Sequence, residues 1–243
     1  MKPIDDMWSA PRITRHAWPK VFPPLSEAQK RINNEFVKLW HEVLPQRYGL
    51  AERFNNGYPL QSAVVSGPCR TLEIGAGLGE HIKYEDLAAQ EYHAVEFRPE
   101  MAAEIRRRFP KVQVEVTDCQ ERLPYPDAYF DRAIAIHVLE HLPNLPAALD
   151  QIRRVLKPGG VFAIVYPCDP GFAYWIGRKI SAERLFRAKY GVPYGWFIRR
   201  EHINSPEEIE TELARRFRLS GRRFFPLRIP LVSLNLCVGV MAR

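Results

Sequence analysis

Three glycines at alternate positions are the residues with the clearest chemical meaning in this 243-residue sequence. Gly75, Gly77 and Gly79 follow a predicted strand, and the pattern predicts a helix after them. Residues without a side chain let the backbone turn sharply and let a ligand approach it closely. A glycine loop after the first strand of a βαβ series is typical of a site for a nucleotide-like cofactor.

Two acidic residues at the loop distinguish between such cofactors. The dinucleotide fingerprint GxGxxG would have its third glycine at position 80, where this chain has Glu80. Glu73 lies two residues before the first glycine. A carboxylate suits a ligand with an ammonium or sulfonium group and suits a pyrophosphate poorly. S-adenosylmethionine carries both cations, so we expect this cofactor rather than a dinucleotide.

Five stretches, in order and spacing, resemble the class I S-adenosylmethionine-dependent methyltransferases, of the type 11-like kind that acts on small substrates. The resemblance covers about residues 70–170 well and the last two strands loosely. The stretches are Glu73–Gly79, Glu96, Thr117–Cys119, Phe130–His141 and Leu156–Gly160.

This resemblance implies a role for each matched position. Glu96 would bind the ribose, because a carboxylate about twenty residues beyond the loop accepts from both hydroxyls. Asp118 would accept from the exocyclic amine of the adenine, and the product would be S-adenosylhomocysteine. The implied cofactor-binding residues are Glu73, Gly75, Ala76, Gly77, Gly79, Glu96, Phe97, Asp118, Cys119 and His137.

The candidate catalytic base is His137, at the predicted end of the fourth strand. The sulfonium methyl donor is already activated, so the enzyme mainly orients and desolvates the reactants. A weak nucleophile such as an alcohol gains from a base with a pKa near the working pH. His202, Tyr194 and Glu201 are further candidates, and the sequence does not choose between them.

The string His137–His141 resembles a zinc-peptidase motif and a magnesium site, but we expect no metal there. The string matches HxxEH of zinc peptidases, but those need a long helix, and Pro143 follows soon here. Methyltransferases that act on quinone-type phenols bind magnesium at this place, with an acid where His137 stands.

Separately, a nucleophilic Cys168 would suit cytosine-5 methylation of RNA, but the partner Pro–Cys pair is absent, which favours a packing role.

The elements around these residues alternate between strand and helix, which predicts βαβ units and a parallel sheet. We expect an α/β fold of the Rossmann-like kind: seven strands, mostly parallel, an antiparallel last strand, and helices on both faces. The predicted helices begin at Ser26 (closed by Pro45), Pro99, Leu145 and Pro206. The predicted strands are Arg70–Ile74, Tyr92–Phe97, Val112–Val116, Asp131–His137, Val161–Tyr166, Leu219–Phe225 and Leu234–Met241, with a turn at 157–160.

The organisation along the chain predicts four segments. Residues 1–60 would be a proline-rich arm and a cap helix, and 61–170 the cofactor-binding core. Residues 171–204 mix aromatic and basic side chains and would form a lid over the substrate. Residues 205–243 would complete the core with a helix and two strands.

The charge is concentrated in the last third of the chain. Residues 171–243 contain 14 Lys and Arg against 6 Asp and Glu, whereas the whole chain has a net charge of +7. A basic field suits an anionic partner, so we expect a small-molecule, secondary-metabolite or glycan or lipid-linked substrate with an anionic group. RNA methylation and a non-catalytic binding protein are the alternatives; nucleic acid is disfavoured, and contact with a membrane surface is left open. The four separated cysteines and the absence of a signal peptide favour a cytoplasmic location.

Overall fold

Seven strands form one sheet, in the order β3-β2-β1-β4-β5-β7-β6. The computed structural model describes residues 8, 13–47, 49–63 and 69–243. Strands β1 to β5 are parallel to their neighbours, and β7 runs antiparallel to both β5 and β6. The predicted sheet is therefore confirmed. The strands are β1 Cys69–Ile74, β2 Gln90–Glu96, β3 Gln113–Val116, β4 Phe130–Ile136, β5 Leu156–Pro167, β6 Leu219–Phe225 and β7 Cys237–Ala242.

Helices cover both faces of the sheet. Alternate residues of a strand point to opposite faces: Ile164 packs in the cluster of α4 and α8, and Val165 packs against Tyr58 from the N-terminal segment. The capping box that begins α8 at Ser205 and Glu208 is present. The helices are α1 Glu27–Arg47, α2 Gly49–Gly57, α3 Pro99–Arg108, α4 Leu145–Val155, α5 Phe172–Ile180, α6 Ala182–Tyr190, α7 Gly195–Glu201 and α8 Pro206–Arg216.

The glycine loop is not followed by the α-helix that the sequence pattern predicts. Residues 78–81 form turns, and only a 3-10 segment, Ile82–Tyr84, precedes β2. The helix is absent because a buried polar network occupies its place. Arg132 of β4 pairs with Glu85 at 2.8 Å, and His81 lies 2.7 Å from the same carboxylate. Arg132 also donates to Ser62 Oγ and to the carbonyl oxygen of Pro59.

Three predicted boundaries are wrong. Helix α1 continues past Pro45 to Arg47, because a proline in the last turn removes one donor but keeps a helical φ. Residues 157–160 do not precede the fifth strand; they bulge within β5, where the register shifts opposite β4. Strand β7 begins at Cys237, because Val232–Leu234 forms a 3-10 turn that Asn235 ends.

The segment 171–204 folds as three helices, α5 to α7, with a small core of its own. Phe186, Trp196 and Phe197 are buried there against Ile32 and Phe36 of α1. The buried aromatic side chains therefore hold the insert to α1, and the lid over the substrate stays a prediction. Trp175 of α5 is 44% exposed.

Part of the N-terminal segment packs on the sheet, and its role as a cap over the cofactor stays a prediction. Phe54 of α2 stacks on Phe225 of β6 at 5.1 Å, and Tyr58 packs over Gly239 of β7. Residues 1–7 and 9–12 of the predicted arm lie outside the described residues. Within the described part of the chain, no helix is long and apolar enough to cross a membrane.

Candidate functional site

The glycine loop and Glu96 meet where the strand order reverses. Strand β1 lies between β2 and β4, so the loop after β1 opens at the switch point of the sheet, the usual ligand crevice of such folds. The Gly77 N–H donates to Glu96 Oε2 at 2.8 Å, and the Arg98 N–H donates to Glu96 Oε1 at 3.0 Å. The structure therefore brings together the two motif positions that the sequence separates by nineteen residues.

The loop backbone requires glycine. Gly75, Gly77 and Gly79 all have positive φ, at 64°, 56° and 77°, a region that side chains disfavour. A Cβ at Gly75 would lie 2.6 Å from Val138, the second residue after β4. The loop is thus closely packed against the end of β4, with Ala76 buried beneath it.

The residues expected at the adenine lie beside Glu96. Phe97 is 68% exposed, so its ring is available for stacking. Both oxygens of Asp118 accept from the side-chain amide of Gln120, each at 3.0 Å. Burial raises the pKa of Cys119 to about 12, which keeps it a packed thiol. The contacts of Phe97, Asp118 and Cys119 with adenine stay a prediction.

Glu73 faces inward. Its carboxylate accepts from the Tyr92 hydroxyl at 2.8 Å, and burial raises its pKa. The direct contact with a cofactor cation that its position suggests also stays a prediction. Glu80, in place of the third dinucleotide glycine, pairs with Lys83 and Arg108.

His137 follows β4 with a φ of 53°, which is rare for a residue with a side chain and is common at functional sites. Its Nδ1 lies 3.1 Å from Glu140 Oε1. Burial lowers the pKa of His137, but Cys237 and Glu140 outweigh this effect and raise the pKa to about 10. An imidazolium has no lone pair to accept a proton, so this environment disfavours the base role expected for His137.

A cluster of histidines and acids lies next to His137, at the carboxyl ends of β4 and β5. Glu140 is 1% exposed, and each of Glu140, His141 and His202 offers a ligand atom within 4.8 Å of the others. His141 Nδ1 lies 2.6 Å from the carbonyl oxygen of Glu201, and His202 Nδ1 lies 2.9 Å from Asp169 Oδ2. Burial lowers the pKa of His141, which favours the neutral ring.

Hydrogen bonds from buried side chains to backbone carbonyl oxygens hold this cluster in place. The side-chain amide of Asn204 donates to the carbonyl oxygens of Leu139 and Leu142 at 2.7 and 2.8 Å. Lys20 forms a buried ion pair with Glu208 at 2.7 Å and donates to the carbonyl oxygen of Ile203. Sequence reasoning considered His202 and Glu201 but missed Asp169 and Asn204, which no local motif marks.

The alternative chemistries do not match the geometry. The string His137–His141 lies in a 3-10 turn, Leu139–His141, rather than in the long helix of a zinc peptidase. Cys168 is fully buried, and burial raises its pKa. Cys168 is therefore a packed thiol rather than a thiolate nucleophile.

Comparison with known proteins supports the class that the fold and loop define. Residues 72–164 match the family model described as a methyltransferase domain. The sterol 4-C-methyltransferase strm-1 of Caenorhabditis elegans is 31% identical over 70% of this chain and 48% of its own length. A probable phthiotriol/phenolphthiotriol dimycocerosates methyltransferase 2 of Mycobacterium ulcerans is 27% identical over 64% of this chain and 62% of its own.

Solved structures share the fold. The CurJ carbon methyltransferase superposes with a TM-score of 0.60 at 17% identity, over 82% of this chain and 56% of its own. An S-adenosylmethionine-dependent methyltransferase from Aquifex aeolicus gives 0.57 at 18% identity, over 86% and 97%. The fold, the glycine loop and the match of residues 72–164 together support a class I S-adenosylmethionine-dependent methyltransferase domain. It spans about half the length of the curated relatives it matches, 33% to 62% for the first three.

Proposed function

We propose that this protein transfers a methyl group from S-adenosylmethionine to a small, largely apolar molecule. The observation that supports this proposal is the hydrogen bond from the Gly77 N–H to Glu96, the acid that we expect to bind the ribose. When bound, the cofactor supplies an activated methyl group. The chain's part is then to bind, orient and exclude water.

Each group at the site has a distinct part in this proposal. Glu96 holds the ribose hydroxyls, the loop backbone lies under the rest of the cofactor, and Phe97 and Asp118 bind adenine. His137, whose Nδ1 lies 3.1 Å from Glu140 Oε1, would lie near the methyl acceptor and donate a hydrogen bond to an oxygen of the substrate.

The substrate class is inferred from the surface and the relatives. The face of α5 exposes Phe172, Trp175, Ile176 and Ile180 beside the end of β5. Apolar faces of this kind suit a lipid-like molecule, and relatives named above are named for sterols and mycocerosates. Arg178 on the same helix suits an anionic group of such a substrate. A cytoplasmic location accords with this function and stays a prediction.

RNA is the weaker alternative because part of the basic charge after residue 170 is already paired. At least five of the basic residues after 170 form ion pairs with neighbouring carboxylates: Lys179, Arg187, Arg215, Arg216 and Arg222. A non-catalytic role would give no physical reason for Glu96 and the glycine loop to keep their geometry.

The test is cofactor binding followed by turnover. We expect calorimetry to show S-adenosylmethionine binding that Glu96→Ala weakens roughly ten- to a hundredfold, because charge-assisted hydrogen bonds contribute about 1.5–3 kcal/mol. Glu100→Ala, an exposed acid four residues away, is the matched control and should bind normally. A radiolabelled methyl group should enter a lipid or metabolite pool and not RNA. Equal affinity in both variants, or tight NAD binding, would contradict the proposal.

A further inference from the structure

Glu140 has a carboxylate oxygen that no local partner explains. Its Oε1 lies 3.1 Å from His137 Nδ1 and 3.7 Å from His141 Nε2. Its Oε2 is buried, and no hydrogen-bond partner for it is found among the described residues. A buried carboxylate oxygen without a partner is costly, so the position indicates a ligand that the oxygen meets.

In both neighbouring histidines the Nδ1 nitrogen is already used in a hydrogen bond. A carbonyl oxygen only accepts, so His141 Nδ1 carries the proton that it donates to Glu201. His202 Nδ1 donates to Asp169 in the same way. In each ring this leaves the Nε2 lone pair for another partner. Histidines that bind metals are oriented by such contacts from a carboxylate or a carbonyl on their other nitrogen.

The three donors are close enough for one ion. Ligand atoms at about 2.0–2.2 Å from a metal lie roughly 3–4 Å apart, and here they lie within 4.8 Å of one another. Small side-chain rotations of His141 and His202, whose side chains are 35% and 13% exposed, would close that gap.

We propose that Glu140, His141 and His202 form a site for a divalent transition metal, with Zn²⁺ as the best match. Imidazole nitrogens suit zinc and its neighbours, whereas Mg²⁺ takes oxygen ligands. The sequence argued against a metal because His137 stands where an acid is expected. The fold instead brings the third ligand from His202, sixty-one residues beyond His141 in the chain.

Three protein ligands leave positions open, as in catalytic rather than structural zinc sites. The site lies one side chain from His137, at the substrate end of the sheet. On the proposed function, the ion would polarise an oxygen of the methyl acceptor and stabilise its deprotonated form. Binding of the ion itself does not depend on that function.

The test is a Zn²⁺ titration of the full chain, made without a polyhistidine tag, stripped with chelator and free of S-adenosylmethionine. We expect calorimetry to show a single equivalent bound, and Co²⁺ in its place to develop visible ligand-field absorption. His202→Gln should weaken binding at least about tenfold, and Asp169→Asn about 10–100-fold, as for metal-site residues of these kinds. Glu140→Gln should also weaken Zn²⁺ binding at least about tenfold. Circular dichroism should confirm that each variant is folded.

His16→Gln is the matched control, since His16 is exposed and remote in sequence from the site. It should bind Zn²⁺ as the unchanged chain does. No binding by the folded protein, or equal binding by His202→Gln and His16→Gln, would overturn the proposal. If the protein bound Zn²⁺ but did not bind S-adenosylmethionine, this result would contradict the proposed function and leave the metal site standing.

Discussion

At the scale of single residues, Gly75 is constrained twice. Its φ of 64° disfavours any side chain, and a Cβ there would lie 2.6 Å from Val138. Gly159 has a similar φ of 80° but nothing within 4 Å of the same position. Comparing the two glycines separates backbone strain from steric contact. A side chain at Gly75 would meet both, whereas one at Gly159 would meet only the strain.

We predict that Gly75→Ala lowers the free energy of unfolding more than Gly159→Ala does. The strain common to both is about 1–2 kcal/mol. Val138→Ala should recover part of the extra loss at Gly75, with a coupling of about 1 kcal/mol in urea unfolding. Purely additive effects of Gly75→Ala and Val138→Ala would mean that the loop does not pack on Val138.

Some residues of the candidate site were predictable from the sequence, and others were not. Glu96 was found because it ends the second strand about twenty residues beyond the glycine loop, as the ribose-binding acid does in the resembled family. Asp169 and the unpartnered oxygen of Glu140 were not found. Their meaning depends on His202, which tertiary packing alone brings to the end of β4.

At the scale of elements, the crossover from β1 to β2 is held by charges rather than by a helix. Arg132 and Glu85 are 1% and 2% exposed at their side chains, and His81 completes the buried group. Burial raises the pKa of Glu85, but hydrogen bonds from His81 and Arg132 outweigh this effect and lower the pKa to about 2. Hydrophobic periodicity does not record such pairs, which explains why a helix was predicted.

We predict an acid-sensitive stability that depends on Glu85. Its pKa is lower in the folded chain than the ordinary value of 4.5, so the unfolded chain binds more protons between these values. The stabilisation is present above pH 4.5 and is lost as the pH falls toward 2. A pKa shift of this size corresponds to roughly 3 kcal/mol of unfolding free energy. Unfolding free energies measured across that range should show the loss.

Glu85→Gln should flatten this pH dependence and destabilise the protein at neutral pH, because Arg132 is left buried without its partner. Glu104→Gln is the control, since Glu104 pairs with Arg107 at the surface, where ion pairs contribute about 0–1 kcal/mol. The same pH dependence in both variants would mean that the buried pair does not set the acid limit.

At the scale of the whole molecule, the sheet was predictable and the insert was not. Several strands are apolar runs beside a turn signal, and the antiparallel last strand follows from the resembled family. The aromatic residues of 171–204 have no such periodicity, and their burial depends on Ile32 and Phe36 from far along the chain. The small second core was therefore not predictable from the sequence, and the lid over the substrate stays a prediction.

The last prediction concerns the basic excess of the whole chain. If it bound RNA, several Lys and Arg would neutralise phosphates together, and log affinity would fall with log salt by about 0.7 per contact on single strands. We expect weak binding and a shallow slope instead, because the fold pairs Arg216 with Glu212 and Asp150, and Lys179 with Glu183. Fluorescence anisotropy of a labelled oligonucleotide over about 50–200 mM salt measures this slope.

Arg184 and Lys189 are both exposed on α6, and replacing them tests whether the basic insert binds RNA. Replacing both with Gln removes two charges from the insert without touching the buried core that holds it to α1. On the small-substrate function, the double variant should methylate its acceptor normally and bind the oligonucleotide as weakly as before. A steep slope that this variant reduces by about 1.4, at roughly 0.7 per lost contact, would reassign the basic insert to nucleic acid.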